Sequence, residues 1–143
     1  MPIRKLKFKS KTCYHVVNRG FEKMTLFRTE EDYNVFEGLV YRYRGWVEIV
    51  AYSAVVNHYH FLLKQHKVNG VERFMSSVQK SYTRYFNKKY RRKGPLYEGR
   101  FWAEDIVDED HYYNVLAYIL RNPGKHKMVN LGRDGHSGIR IGG

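Results

Sequence analysis

The chain has 143 residues, 43% of them apolar and 16% aromatic, so it is long enough for one domain with a hydrophobic core and is not expected to be disordered. Its 26 Lys and Arg residues against 14 Asp and Glu residues give a net charge of +12, which favours a polyanionic partner such as nucleic acid, although charge alone establishes no site. Cys13 is the only cysteine, which excludes an intrachain disulfide and a thiolate metal cage and fits a reducing cytoplasm.

The N-terminus has cationic residues but no apolar segment after them, and no later stretch approaches about 18 uncharged apolar residues. We therefore expect neither export nor a membrane span.

The first predicted elements are a strand and a helix. Segment 13–19, CYHVVNR, is rich in β-branched and aromatic residues and predicts a strand that ends at Gly20. Thr29 precedes three acidic residues, a pattern typical of a helix N-cap, and apolar residues at helical spacing predict a helix from about 30 to 44.

The middle of the chain predicts a hairpin followed by a long helix. Segments 46–56 and 58–64 are strand-like and almost contiguous, so they predict an antiparallel hairpin that turns near Asn57. From 71 to about 91 the apolar residues fall on one face of a helix whose other side is basic.

The last elements complete an α+β order. Segment 96–107 predicts a fourth strand, and Asp108 is typical of the N-cap of a helix that stops at Pro123. The core order β-α-β-β-α-β predicts a ferredoxin-like, split β-α-β fold: a four-stranded antiparallel sheet with two helices on one face and an added C-terminal helix.

We expect a single domain over residues 1–143. No repeat, low-complexity segment or Pro- or Gly-rich linker divides the chain. Its core is predicted at about 12–125, preceded by a basic N-terminal arm over 1–11 and followed by a short Gly-rich tail over 131–143.

The stretch NHYHFLLK, residues 57–64, contains two histidines one residue apart. Side chains at i and i+2 of a strand share a face, so His58 and His60 would stand roughly 6.5–7 Å apart at their backbones and could converge on one ion. The pattern H-x-H is common by chance, so a metal site needs a third ligand.

The last predicted helix offers further polar groups. His111, Tyr118 and Asn122 lie along one stripe, and Tyr118 and Asn122 are neighbours one turn apart. These two could equally be a packing tyrosine and a helix cap.

Four blocks in order carry a family resemblance over roughly residues 13–125: NHYHFLLK, then YTRYFN in the basic helix, then GPLYEGRF, then YILRNP. Together they resemble the single-tyrosine HUH transposases, and most of all the REP-associated branch. HUH denotes His, a bulky apolar residue, His.

The resemblance implies a metal-dependent enzyme that cleaves and rejoins single-stranded DNA through a 5′-phosphotyrosine intermediate. By position, Tyr118 would be the nucleophile, and His58, His60 and Asn122 would bind Mg²⁺ or Mn²⁺, the metals of the family. A cation held by neutral ligands can act as a Lewis acid on a phosphate, although imidazole also suits zinc. Tyr82, Tyr85 and Tyr90 are rival nucleophiles, but the helical pattern favours packing roles for two of them.

The resemblance also implies a DNA hairpin with a single-stranded flank as the partner, and a homodimer is one option for the assembly. Phosphate contacts are expected from basic residues, because Lys and Arg neutralise phosphates and an interleaved aromatic can stack on a base. The predicted DNA-binding residues are Arg19, Arg84, Lys88, Lys89, Arg91, Arg92, Lys93 and Arg100. Two alternatives stay open: a non-catalytic module of the same fold that binds hairpin or single-stranded nucleic acid, and a zinc-dependent hydrolase.

Overall fold

The structure, a computed structural model, describes residues 12–122 and the strand Lys125–Met128. The predicted arm over 1–11 and tail over 131–143 lie outside the described residues. The strands are β1 Cys13–Arg19, β2 Val47–Val55, β3 His58–Gln65, β4 Trp102–Asp105 and β5 Lys125–Met128, and the helices are α1 Glu30–Arg42, α2 Gly70–Lys89 and α3 Glu109–Arg121.

The strands form one antiparallel sheet in the order β4-β1-β3-β2-β5. The inner order β4-β1-β3-β2, with the connections β-α-β-β-α-β, is the ferredoxin-like arrangement expected from the sequence. Strand β5 was not predicted and adds a fifth strand beside β2. The α+β fold class is confirmed.

The two predicted N-caps, Thr29 and Asp108, are confirmed. The Thr29 side chain accepts a hydrogen bond from the Asp32 N–H while the Asp32 carboxylate accepts from the Thr29 N–H, and the Asp108 side chain accepts from the His111 N–H. Helix α1 ends at Arg42, two residues before the predicted end, because a 3-10 turn at Arg44–Trp46 leads into β2.

The fourth strand is shorter than predicted. Segment 96–107 forms a ladder with β1 only over Trp102–Asp105. The preceding residues instead form a loop with a single bridge from Tyr97 to Gly20. Leu96 and Phe101 of this loop are buried, so their apolar character reflects packing under the sheet edge rather than strand pairing.

The two faces of the sheet carry separate apolar layers. Helices α1 and α2 cover one face in a large cluster that includes Phe36, Phe61 and Phe74. Helix α3 covers the other face in a small cluster of Val50, Ala51, Leu62, Val115, Leu116 and Ile119. Helix α3 therefore lies opposite the other two helices, over the face to which His58 and His60 belong.

A β-bulge in β2 changes which residues of the strand point toward α3. Ile49 pairs with Leu63 but Ala51 pairs with the next residue, Leu62, so Val50 is an extra residue in the strand. Beyond the bulge the alternation is reversed, and Ser53 points to the α3 side while Tyr52 packs in the large cluster.

None of the helices in the described part of the chain combines the length and the apolar character needed to cross a bilayer.

Candidate active site

His58 and His60 lie side by side on the α3 face of the sheet. Tyr59, between them, points the other way and is buried in the large cluster. The imidazole centroids of His58 and His60 are 5.1 Å apart, and the ring planes make an angle of 82°. The structure thus brings the two rings together on one face.

Helix α3 places Tyr118 against this pair. Leu116 and Ile119 anchor the helix on the sheet, and the Tyr118 ring meets the His60 ring edge-on with centroids 5.2 Å apart. Tyr118 is nevertheless 50% exposed. A phenol that packs on the histidine and still reaches solvent is accessible to a DNA strand.

Asn122 caps the C-terminal end of α3 beside the same site. Its Nδ2 donates a hydrogen bond to Ser53 Oγ at 3.4 Å, and Ser53 pairs with His60 across the β2–β3 ladder. The amide nitrogen makes this contact. The amide oxygen, which is the atom that would bind a cation, is not used in the hydrogen bond to Ser53.

The environment keeps both histidines neutral. Burial, with the neighbouring imidazoles of His15 and His58, lowers the pKa of His60 to about 3. Burial and the nearby Arg19 guanidinium lower the pKa of His58. Neutral imidazole is the form that binds a metal ion.

One atom of the pair has no hydrogen-bond partner in the part of the chain that the structure describes. His60 Nε2 is buried and has no hydrogen-bond partner among the described residues. Such an orphaned polar atom is rare, and a bound cation or water would satisfy it. Over residues 12–122 no three or more His, Cys, Asp or Glu side chains form a metal cage, so a cation here would rest on two imidazoles and the Asn122 amide. The residues present fit a divalent cation of that kind.

The sequence interpretation missed His15, a third imidazole at the site. His15 Nε2 lies 3.1 Å from His60 Nδ1, and its ring is 6.4 Å from that of Tyr118. The half-exposed Trp102 meets His15 edge-on from β4. The available signal was the polar residue within the apolar strand CYHVVNR, but without the strand register nothing placed it beside His60.

The rival tyrosines lie on the other side of the sheet. Tyr82 is fully buried in the large cluster. Tyr85 and Tyr90 both donate hydrogen bonds to the carboxylate of Asp32. They therefore have structural partners away from the His58 and His60 pair.

Two of the predicted DNA-binding cations are bound to other residues around the end of α2. Lys89 lies 2.6 Å from Glu31 and 2.9 Å from Asp32. The Arg92 guanidinium donates to Asn87 Oδ1 and to the carbonyl oxygens of the following turn. Their charges hold the end of α2 together.

The other predicted cations are exposed, but only one of them is placed beside the histidines. Arg19 pairs with His58 at the end of the β1–β3 ladder and acts electrostatically on that ring. Arg100 lies 3.8 Å from Glu72. The remaining four, Arg84, Lys88, Arg91 and Lys93, are exposed along α2 and the turn after it.

An open groove of about 520 Å³ runs beside Arg84 on the outer side of α2. It is lined on one side by Gln79, Lys80 and Thr83 and on the other by the loop from Pro95 to Gly99. This loop bridges to Gly20, which follows Arg19, so the groove lies next to the end of β1 that carries the predicted phosphate contact.

Comparisons with known proteins place the chain in a recognised family. The family model described as "Transposase IS200 like" matches residues 8–122. A REP-associated tyrosine transposase, solved bound to a REP hairpin, superposes with a TM-score of 0.71 at 15% identity, over 86% of this chain and 73% of that chain. A protein from Deinococcus radiodurans R1 assigned as a transposase superposes with a TM-score of 0.55 at 14% identity, over 86% of this chain and 100% of that chain. No curated protein sequence matches the chain significantly.

Proposed function

The chain belongs to the IS200-like transposase family, and from that premise we propose that it cleaves and rejoins single-stranded DNA with Tyr118 as nucleophile and a divalent cation as cofactor. The proposal rests above all on the position of Tyr118, whose ring lies 5.2 Å from that of His60 on the accessible face of the sheet. A nucleophile and a candidate cation site within one side-chain length can act on the same phosphate.

The reaction proposed is a transesterification. The Tyr118 phenolic oxygen forms a bond to phosphorus, and the bond from phosphorus to the 3′ oxygen breaks. The phenol loses its proton, the departing 3′ oxygen gains one, and the phosphate remains on the 5′ end of the cleaved strand. Attack on the phosphotyrosine by another 3′-hydroxyl reverses these changes and joins the strands, so no external energy source is needed.

His58, His60 and Asn122 are the residues proposed to hold the cation. When bound, a divalent cation at this position would polarise the scissile phosphate as a Lewis acid. Mg²⁺ and Mn²⁺ suit an amide oxygen and phosphate oxygens. The buried, unpartnered His60 Nε2 supports this role.

The protein surface around the site suits a single strand. Trp102 is 51% exposed and offers a flat apolar surface to an unpaired base. The exposed Arg19 beside His58 would contact a neighbouring phosphate. A solved protein of the same fold is bound to a REP hairpin, which supports a hairpin with a single-stranded flank as the DNA partner of this chain.

The test uses a pool of DNA hairpins whose single-stranded flanks are randomised, incubated with Mn²⁺ and the wild-type protein. We expect a covalent protein–DNA adduct that survives denaturation, and no adduct with Tyr118→Phe, which lacks the attacking oxygen. Tyr113→Phe is the matched control, because Tyr113 is 60% exposed on the same helix.

Three outcomes separate the candidate functions. An adduct formed by Tyr118→Phe at the wild-type level would refute the choice of nucleophile. Hairpin binding that persists in chelator, without any adduct under any condition, would identify a binding module. Cleavage without an adduct, accompanied by bound zinc, would identify a hydrolase.

A further inference from the structure

A chain of polar contacts runs from helix α3 to the sheet behind the candidate active site. His111 Nδ1 lies 3.2 Å from the backbone nitrogen of Val107 and His111 Nε2 lies 3.1 Å from Glu104 Oε1. Because a backbone N–H can only donate, His111 Nδ1 must accept, and the proton of the neutral ring is on Nε2, facing Glu104. The carboxylate therefore accepts from His111.

The same carboxylate oxygen faces His15. His15 Nδ1 lies 3.7 Å from Glu104 Oε1, longer than a hydrogen bond but within ion-pair range. At this distance a carboxylate attracts an N–H and repels a lone pair, so the neutral His15 ring carries its proton on Nδ1. His15 Nε2 is then an acceptor.

The acceptor nitrogen of His15 determines which ring nitrogen of His60 carries the proton. His60 Nδ1 lies 3.1 Å from His15 Nε2, and the ring centroids are 5.4 Å apart with near-parallel planes, a separation that places these two nitrogens between the rings, as in a hydrogen bond. His60 Nδ1 must therefore donate. The proton of the neutral His60 ring is on Nδ1, and Nε2, the buried atom without a partner among the described residues, carries the lone pair.

We propose that Glu104 and His15 are positioning residues that fix the tautomer and ring orientation of His60, so that its Nε2 lone pair is presented for a divalent cation. The inference rests on the proposed function, which gives His60 its cation. Ligating histidines commonly donate their second ring N–H to such a partner. Here the carboxylate acts through an intervening imidazole, and neither positioning residue lies in the H-x-H motif.

The arrangement also connects the two halves of the site. Glu104 accepts from His111 on α3 and faces His15 on the sheet, so one carboxylate contacts the helix that carries Tyr118 and the network that orients His60. Loss of Glu104 would leave the fold intact, since its side chain is 40% exposed, but would release the His15 ring.

The direct test is long-range ¹H–¹⁵N NMR of the metal-free protein at neutral pH, which reports which nitrogen of each imidazole carries the proton. We expect the proton on Nδ1 in His15 and His60 and on Nε2 in His111. In Glu104→Ala, His15 and His60 should shift toward the Nε2–H tautomer that free imidazole favours.

The second measurement is Mn²⁺ affinity, followed by electron paramagnetic resonance without DNA. Second contacts to a ligating histidine commonly contribute about 10–100-fold in metal affinity, so Glu104→Ala should weaken Mn²⁺ binding about tenfold or more. Asp105→Ala is the matched control. It removes the same charge from the same strand, but position 105 alternates to the other face, and Mn²⁺ affinity should stay within about twofold of wild type.

The proposal would be overturned if His60 of the wild-type protein carried its proton on Nε2. It would also be overturned if the tautomers were unchanged in Glu104→Ala, or if Glu104→Ala and Asp105→Ala lost Mn²⁺ affinity equally. A wild-type protein with the expected tautomers that binds no Mn²⁺ would instead refute the cation in the proposed function. The two failures are therefore distinguishable.

Discussion

Asp32 is a carboxylate with no solvent exposure at the junction of α1 and α2. Its oxygens accept hydrogen bonds from Tyr85 and Tyr90 at 2.6 Å each, from Lys89 at 2.9 Å and from the backbone of Arg28 at 2.8 Å. Burial by itself would raise the pKa of Asp32, but these hydrogen bonds to the ionised form outweigh burial and hold the pKa well below its ordinary value of 3.8.

The depressed pKa predicts a pH dependence of stability that Asp32→Asn should remove. The unfolded state binds the proton more readily, so the stabilisation from ionised Asp32 is fully present above about pH 4 and is lost as pH falls toward the folded-state pKa. The measurement is the free energy of unfolding by urea across this range. The wild-type advantage over Asp32→Asn should shrink with acidity, and a constant difference would contradict the assignment.

The motif residues could be read from the sequence, but their supporting residues could not. His58 and His60 follow from a two-residue spacing, and Tyr118 and Asn122 from a four-residue spacing, which need no tertiary information. Their roles in the reaction remain predictions. His15 and Glu104 come from different strands, and only the register of β1 with β3 and β4 brings them behind His60.

At the scale of elements, the cations at the basic end of α2 are of two kinds: those held in ion pairs and those exposed to solvent. Lys89 is bound to Glu31 and Asp32, and its ion pairs raise the pKa of the ammonium group. Lys88 and Lys93, close by in sequence, are exposed. A run of like charges in a sequence does not reveal which members face inward.

Because of this difference, alanine substitutions of Lys88 or Lys93 and of Lys89 should weaken different properties of the protein. Lys88→Ala and Lys93→Ala should each weaken hairpin DNA binding and reduce the slope of log affinity against log salt by roughly 0.7–0.9, the effect of one phosphate contact. Lys89→Ala should leave that slope unchanged and lower the free energy of unfolding instead. Fluorescence anisotropy over a salt series and urea denaturation measure the two effects, and a reduced salt slope in Lys89→Ala would refute the distinction.

The helices and strands could be predicted from the sequence where local residue patterns and caps define them. Apolar periodicity and the caps at Thr29 and Asp108 located the helices to within two residues or so. The fourth strand was overextended because buried loop residues such as Leu96 and Phe101 resemble strand residues in composition. The bulge at Val50 has no sequence signal, since it depends on the pairing of β2 with β3.

At the scale of the whole molecule, helix α3 packs on the sheet of its own chain. Its apolar residues share a cluster with Val50, Ala51 and Leu62, and Tyr118 meets His60 of the same chain. The proposed nucleophile Tyr118 and the proposed cation ligands His58, His60 and Asn122 are therefore brought together within one polypeptide, and the geometry needs no exchange of helices between two copies.

The prediction is that mixing two inactive variants restores no activity. Tyr118→Phe supplies intact histidines, and the double variant His58→Ala with His60→Ala supplies an intact tyrosine. If each site is built from one chain, the mixture should form no covalent adduct on hairpin DNA with Mn²⁺, while each variant mixed with wild type should not alter the wild-type yield. Adduct formation by the mixed variants would show that α3 is supplied by a partner.

The bulge at Val50 divides β2 into two parts with opposite alternation. Before it, odd-numbered residues fill the large cluster; after it, even-numbered residues do, and Ser53 is released to contact Asn122. Ser53 is itself fully buried, so a substitution of similar size such as Ser53→Ala is the one that would remove the partner of the Asn122 amide without repacking the α3 face. The extra residue is what lets both parts of the strand keep their faces, so an insertion or deletion elsewhere in β2 would turn the residues beyond it to the opposite faces, and a change of strand length carries far greater risk than a substitution.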